Sequence, residues 1–247
     1  MNRLKGKIAL VTGGNGGIGL ATAKRFVAEG ATVFISGRRQ KELDSAVREI
    51  GAGVTAIQGD IAKLDDLDRM FATIRERSGR LDIVFANAGI GEFVPLGQIT
   101  EEHFDRIFGV NVKGTVFTVQ KALPLMREGG AIVINGSMVS VKGMAAFSVY
   151  AATKAALRSF ARTWCADLKG RGIRINVISP GTVITPGYKA LGDAQINQII
   201  EGVAATAPLG RVGTTDEIAN AVVFLASDES SYMTGADLFV DGGAAQI

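Results

Sequence analysis

Tyr150 and Lys154 stand four residues apart, and Ser137 lies at the end of an apolar run thirteen positions before Tyr150. On a helix, residues i and i+4 share a face, so a helix beginning near Tyr150 sets the ammonium beside the phenol. A free phenol has a pKa of about 10, about three units too high for a base at pH 7. A nearby cation favours the phenolate. Two unit charges ~4 Å apart at an effective dielectric of ~20 interact by about 4 kcal/mol, and one pKa unit is about 1.4 kcal/mol. Lys154 is therefore expected to lower the Tyr150 pKa, with a second cation nearby completing the shift. Ser137 adds a hydroxyl that can hydrogen-bond a substrate oxygen while Tyr150 moves its proton. A Tyr-x-x-x-Lys pair also arises by composition alone, so its meaning depends on the elements that position it.

Composition narrows the classes. The chain of 247 residues is 47% hydrophobic and 21% charged, ordinary for a globular protein with a large core, and is expected to be one domain. No apolar run approaches the roughly 18 residues of a membrane span, and the first residues carry no apolar signal region, so a cytoplasmic location is expected. The single cysteine, Cys165, excludes an internal disulfide and argues against a thiolate metal site; it reads as a buried helix residue. His103 is the only histidine and reads as a surface helix residue, which leaves no metal site and no serine–histidine–aspartate hydrolase. The net charge of +3 comes from basic residues scattered among acids, as in Arg75-Glu76-Arg77, which argues against nucleic-acid binding.

The glycines, 32 in number and about twice the usual ~7%, punctuate a regular alternation of elements. Apolar runs predict strands at 7–12, 32–36, 54–58, 81–86, 131–135, 173–178 and 238–240. Helical patterns fall at 18–29, 41–50, 64–77, 101–126 and about 150–168, and Thr214 with Glu217 signals the capping box of a last helix. Mostly unbroken apolar strands alternating with helices imply a doubly wound, mostly parallel α/β sheet of about seven strands, a Rossmann fold. Ligands of such sheets bind beyond the carboxyl ends of the strands.

The first strand-to-helix junction reads Thr12-Gly13-Gly14-Asn15-Gly16-Gly17-Ile18-Gly19. Glycines there permit positive φ and a close approach to a diphosphate, which a helix N-terminus stabilises. The Gly-Lys-[Ser/Thr] ending of a P-loop is missing, so a dinucleotide is favoured over ATP chemistry.

Together these motifs resemble the short-chain dehydrogenase/reductase family over essentially the whole chain. Gly13, Gly17 and Gly19 match its cofactor turn, and Asn87-Ala88-Gly89 looks like its turn after the fourth strand. Asn111, Ser137, Tyr150 and Lys154 match its four catalytic positions. The resemblance implies cofactor contacts from Asn15, Gly16 and Ile18 in the turn, from Asp60 and Ile61 at the adenine, and from Tyr150 and Lys154. Pro180, Gly181, Val183 and Thr185 fit the segment at the nicotinamide. The implied reaction interconverts a carbonyl and a secondary alcohol: NAD(P)H gives a hydride to carbon while Tyr150 protonates oxygen. Ser137 positions that oxygen, Lys154 stabilises phenolate, and Asn111 links Lys154 to solvent through a water.

Cofactor choice rests on Ser36-Gly37-Arg38-Arg39. Gly37 stands where the family's NAD-type aspartate sits, and Arg38 with Arg39 can take a 2′-phosphate, so NADP(H) is favoured with NAD(H) possible. The stretch 182–206 is the expected substrate lid, carrying Tyr188; Phe93, Met138 and Phe147 with Ser137 and Tyr150 suggest an apolar pocket, with Met144 close by in sequence. A small ketone, aryl ketone or secondary alcohol fits better than a phosphorylated sugar. An NAD-dependent alcohol or sugar dehydrogenase is the alternative, and a non-catalytic nucleotide-binding protein a more distant one. Relatives imply a homotetramer formed through the central helices and the C-terminal helix and strand.

Overall fold

The computed structural model describes residues 2–247, and for Lys189 and Ala190 the backbone alone. β1 (Ile8–Thr12) sends Leu10 into one hydrophobic core and Ala9 and Val11 into another. β4 (Leu81–Ala86) does the same with Val84 against Ile83 and Phe85, and β5 (Met126–Asn135) with Ile132 and Ile134 against Val133. Both faces of these strands are covered, which is why their sequences are unbroken and not alternating. With β2 (Thr32–Gly37), β3 (Val54–Gln58), β6 (Arg174–Pro180) and β7 (Asp237–Val240) they form one sheet in the order β3-β2-β1-β4-β5-β6-β7, every pair parallel.

One core is closed by α1 (Gly17–Ala28), α2 (Gln40–Ile50) and α8 (Thr215–Ala226) through Phe26, Leu43 and Val222. The other is closed by α3 (Leu64–Ser78), α5 (Thr115–Ala122) and α6 (Ser148–Asp167) through Phe71, Val119 and Leu157. Each such large side chain removed from water contributes ~1.5–3 kcal/mol before the cost of ordering it. The strand order reverses between β1 and β4, the switch point at which this architecture opens a crevice for ligands. α8 begins with the expected capping box, Thr214 accepting from the Glu217 N–H and Glu217 accepting from the Thr214 N–H.

Several expectations need correction. The helix expected over 101–126 is three pieces: α4 (Glu101–Phe108), a π-helical segment at Gly109–Gly114, and α5, which ends in a 3-10 turn at Leu123–Leu125. Asn111 draws its side chain out of the π segment to bond Ile90, and Gly114 packs so tightly on Ile61 that a Cβ would stand 2.8 Å from it. Pro124 lacks the N–H to continue the helix. β5 therefore starts at Met126, five residues before the expected 131, across Arg127-Glu128-Gly129-Gly130, which carry no strand pattern. His103 is not a surface residue: it and Ile107 are i and i+4 on the inward face of α4, and it is 6% exposed, with Nδ1 3.4 Å from Glu92 Oε2. Cys165 is half-buried, its Sγ donating to Arg162 O at 3.0 Å. Within the expected lid the chain forms a 3-10 turn (Pro186–Leu191) and α7 (Asp193–Thr206), none of whose described side chains is fully buried.

Candidate active site

Tyr150 sits in the first turn of α6 and Lys154 one turn later, as the spacing requires. Lys154 is 3% exposed; its Nζ donates to Asn135 O at the end of β5 across 2.6 Å and stands 5.4 Å from the centre of the Tyr150 ring. Asn111 Oδ1 accepts from Ile90 N and its Nδ2 donates to Ile90 O, both at 2.8 Å, and Nδ2 also donates to Thr153 Oγ1 at 3.1 Å. Thr153 Oγ1 in turn donates to Tyr150 O at 2.6 Å, so Asn111 holds the helix that carries the phenol. A Cβ at Gly89 would meet Asn111 Oδ1 at 3.2 Å and Lys154 Nζ at 3.6 Å, which brings both groups to one small space beside the Asn87-Ala88-Gly89 turn. Ser137 opens the 3-10 turn Met138–Ser140, its Oγ accepting from Val139 N at 3.4 Å.

The expected net lowering of the Tyr150 pKa is not found. Desolvation pushes the phenol above its ordinary value, Tyr188 adds to the rise, and the hydrogen bond with Ser137 opposes it. Burial also pushes Lys154 down, to about 8. The removal of the phenol from water, and not the neighbouring ammonium that the sequence spacing emphasised, sets the direction. In this state the tyrosine keeps its proton at neutral pH.

Two cavities adjoin at this phenol. One, of about 400 Å³, lies over the ends of β1, β2 and β4. Gly13, Asn15, Gly16, Gly17 and Ile18 line it from the turn, and Arg38, Arg39, Asp60 and Ile61 from the ends of β2 and β3. Asn87, Ala88 and Gly89, with Tyr150 and Thr185, complete the wall. Gly19 does not line it; a Cβ there would collide with the Gly13 carbonyl and with Asn87 Nδ2, so Gly19 serves the packing of α1 on the turn. Lys154 lies beneath the cavities and lines neither.

These residues fit a dinucleotide. Gly13 and Gly17 have φ of 66° and 52°, the left-handed conformations that glycine allows. A Cβ at Gly16 would meet nothing within 4 Å, so the turn borders open space there. The N-terminus of α1 has no side-chain cap and no acid in its first turn, leaving its N–H groups and positive dipole end for an anion. At the end of β2, Arg39 is held by Glu42 at 2.5 Å, while Arg38 joins no ion pair among the described residues. A Cβ at Gly37 would fall 2.5 Å from Asn15 Oδ1, so the Asn15 carboxamide occupies the space an acid's first carbon would need.

The second cavity, of about 580 Å³, is lined by Ser137, Met138, Phe93, Phe147, Tyr150 and Tyr188, bringing together the whole set expected to contact substrate. Pro180, Gly181, Val183 and Thr185 border it as well. The segment expected to be the lid contributes Ile199 and Val203 of α7. The cations at its wall are already engaged: Lys142 donates to Ala244 O, and Arg211 grips Glu217 at 2.6 and 3.0 Å.

Sequence reasoning passed over Asn135. It borders both cavities, its backbone oxygen holds Lys154, its Nδ2 donates to Asn87 Oδ1 at 3.0 Å, and its Oδ1 is buried without a partner. An asparagine at the end of an apolar strand, two residues before Ser137, was the available signal. Thr12 was missed too: its Oγ1 accepts from both Asn87 N and Ala88 N at 3.0 Å, joining the two loops at the switch point.

Comparison with known proteins agrees with this geometry. Residues 13–245 match the family described as Enoyl-(Acyl carrier protein) reductase. Oxidoreductase asL5 of Sarocladium schorii is 49% identical over 250 residues, covering 100% of this chain and 99% of that protein. The 3-oxoacyl-(acyl-carrier-protein) reductase FabG of Thermotoga maritima is 36% identical over 246 residues, 98% of each chain. A solved structure of a short chain dehydrogenase/reductase family protein superposes with a TM-score of 0.87 at 39% identity, covering 99% of this chain and 100% of that one. The chain is therefore an oxidoreductase acting on CH–OH and C=O groups and belongs to the short-chain dehydrogenase/reductase family.

Proposed function

We propose that this protein is an NADP(H)-preferring ketoreductase in which Tyr150 is the general acid. The meeting of a dinucleotide-shaped cavity and an apolar cavity at the Tyr150 phenol carries this reading. The uncapped N-terminus of α1 would hold the diphosphate, Arg38 the 2′-phosphate, Asp60 and Ile61 the adenine side, and Lys154 the nicotinamide ribose. When bound, the reduced cofactor supplies a hydride to the carbonyl carbon. Ser137 orients the substrate oxygen and Tyr150 gives it a proton, which its raised pKa keeps available at neutral pH. As the proton leaves, the Lys154 ammonium over the ring stabilises the phenolate. Asn111 fixes α6 through Thr153 and is the residue through which Lys154 would reach solvent.

The wall of the second cavity supports a neutral, apolar ketone, aryl ketones included, because its arginine is ion-paired and its lysine is hydrogen-bonded to a backbone carbonyl. The 182–206 segment would act as the lid, with the half-buried Ile199 and Val203 facing the occupant. A panel of carbonyl compounds with NADPH tests this: neutral ketones should be turned over and phosphorylated sugars should not, and the reverse order would overturn it. The proposal also carries a cytoplasmic homotetramer. The stacked Phe104 and Phe108 of α4, Phe104 being exposed, offer an apolar patch on the helices that would pair, and light scattering showing a stable monomer would contradict it.

A further inference from the structure

Tyr150 does not stand alone in its cavity wall. Phe147, three residues earlier and N-cap of α6, makes no capping hydrogen bond with its side chain; its ring stacks on Tyr150 at 4.3 Å between centroids and 25° between planes. Phe93 stacks on Phe147 at 4.4 Å and 16°. The residue before Phe147 has a strained backbone. Ala146 has φ 59°, the only left-handed non-glycine among the described residues, and its carbonyl accepts from Val94 N at 2.7 Å. The loop after β4 meets the same rings edge-on. A Cβ on Gly91 would stand 3.1 Å from both Phe147 Cζ and Tyr150 Cδ2 and 3.2 Å from Tyr150 Cε2, closer than ordinary packing allows.

We propose that Phe147, clamped by Gly91 and Phe93, is a positioning residue that fixes the Tyr150 ring and keeps water from it. This rests on Tyr150 being the proton-transfer group. Stacked rings restrict the tilt of the phenol, and misplacing a reacting group by about 1 Å can cost about 100-fold in rate. The same rings exclude water, in keeping with the desolvation that raises the phenol's pKa. The other ionisable groups facing the phenol are Lys154 on its own helix and Tyr188 on the 3-10 turn; Lys142, Arg211, Glu217 and Asp241 stand around the cavity wall. Substituting Phe147 changes none of them.

The test compares wild type, Phe147→Leu, Phe147→Tyr, Gly91→Ala and Tyr150→Phe, reading NADPH binding by fluorescence, kcat and KM, and the pH profile of alcohol oxidation. Phe147→Leu should bind NADPH within roughly two-fold of wild type while kcat falls about 10- to 100-fold. Its rising limb should move to lower pH, because water now reaches the phenolate. Phe147→Tyr, which keeps a stacked ring, should restore most of the loss. Gly91→Ala, which leaves the apolar residues intact, should likewise lower kcat with NADPH binding kept, and it decides the matter if Phe147→Leu does not fold. A wild-type kcat and pH limb in Phe147→Leu, or a rise in KM alone, overturns the proposal when Tyr150→Phe is dead. An active Tyr150→Phe overturns the underlying reading of Tyr150 instead.

Discussion

The Nζ of Lys154 donates to the backbone oxygen of Asn135 across 2.6 Å, which pins a buried ammonium from α6 to the end of the central strand β5. That single bond links the helix bearing the phenol to the strand that leads into Ser137, and Asn135 extends the link through its side chain to Asn87 and the glycine turn. The cost of the arrangement is a cation with little water around it.

That cost is measurable in stability. The pKa of Lys154 is about 8 in the fold against an ordinary 10.5, so below pH 8 the charged form opposes folding fully, by about 3 kcal/mol. Between about pH 8 and 10.5 the unfolded chain holds a proton that the folded one has released, so stability from this group rises with pH. Lys154→Met should stabilise the cofactor-free protein at pH 7 by about 1–2 kcal/mol, after loss of the bond to Asn135, while abolishing turnover. Denaturant unfolding at pH 7 and pH 10 should show the gap shrinking at the higher pH; a Met variant less stable at pH 7 would contradict the assignment.

Arg38 and Arg39 should separate cleanly. Arg39 is occupied by Glu42, so Arg39→Ala should change the KM for NADPH by no more than about two-fold, whereas Arg38→Ala should raise it by about 10- to 100-fold, with KM for NADH little altered. Steady-state rates with both cofactors decide; equal effects of the two variants would refute the division of labour.

Glu217 predicts the acid behaviour of the α8 terminus. The Arg211 guanidinium, and after it the Thr214 N–H, hold its carboxyl at about 2, against an ordinary value of 4.5. The folded pKa is depressed, so the stabilisation is fully present above pH 4.5 and is lost as pH falls through about 2. Glu217→Gln should melt a few degrees below wild type at pH 7, with the difference vanishing near pH 2, as followed by circular dichroism. A difference that persists unchanged into acid would contradict the assignment.

What the sequence made legible was local. The β1 turn, the order of strands and helices and the Tyr150-to-Lys154 spacing each rest on neighbours along the chain, and all are present, although β5 begins five residues before the expected 131. What escaped depends on contacts across the fold. The π segment at Asn111 is set by Ile90 and Ile61, the burial of His103 by the face α4 turns inward, and the direction of the Tyr150 pKa by the walls around it. Phe147 was legible as an apolar neighbour of Tyr150, but its stacking required the Gly91 loop, which lies more than fifty residues away in sequence.

Tyr150→Phe removes one hydroxyl and leaves the stacked ring in place, which makes it the most direct test of the central claim. Single-turnover and steady-state oxidation of NADPH with a neutral ketone should fall by at least about 100-fold, while NADPH binding stays within roughly two-fold of wild type. Near-wild-type turnover in that variant would show that the proton comes from elsewhere.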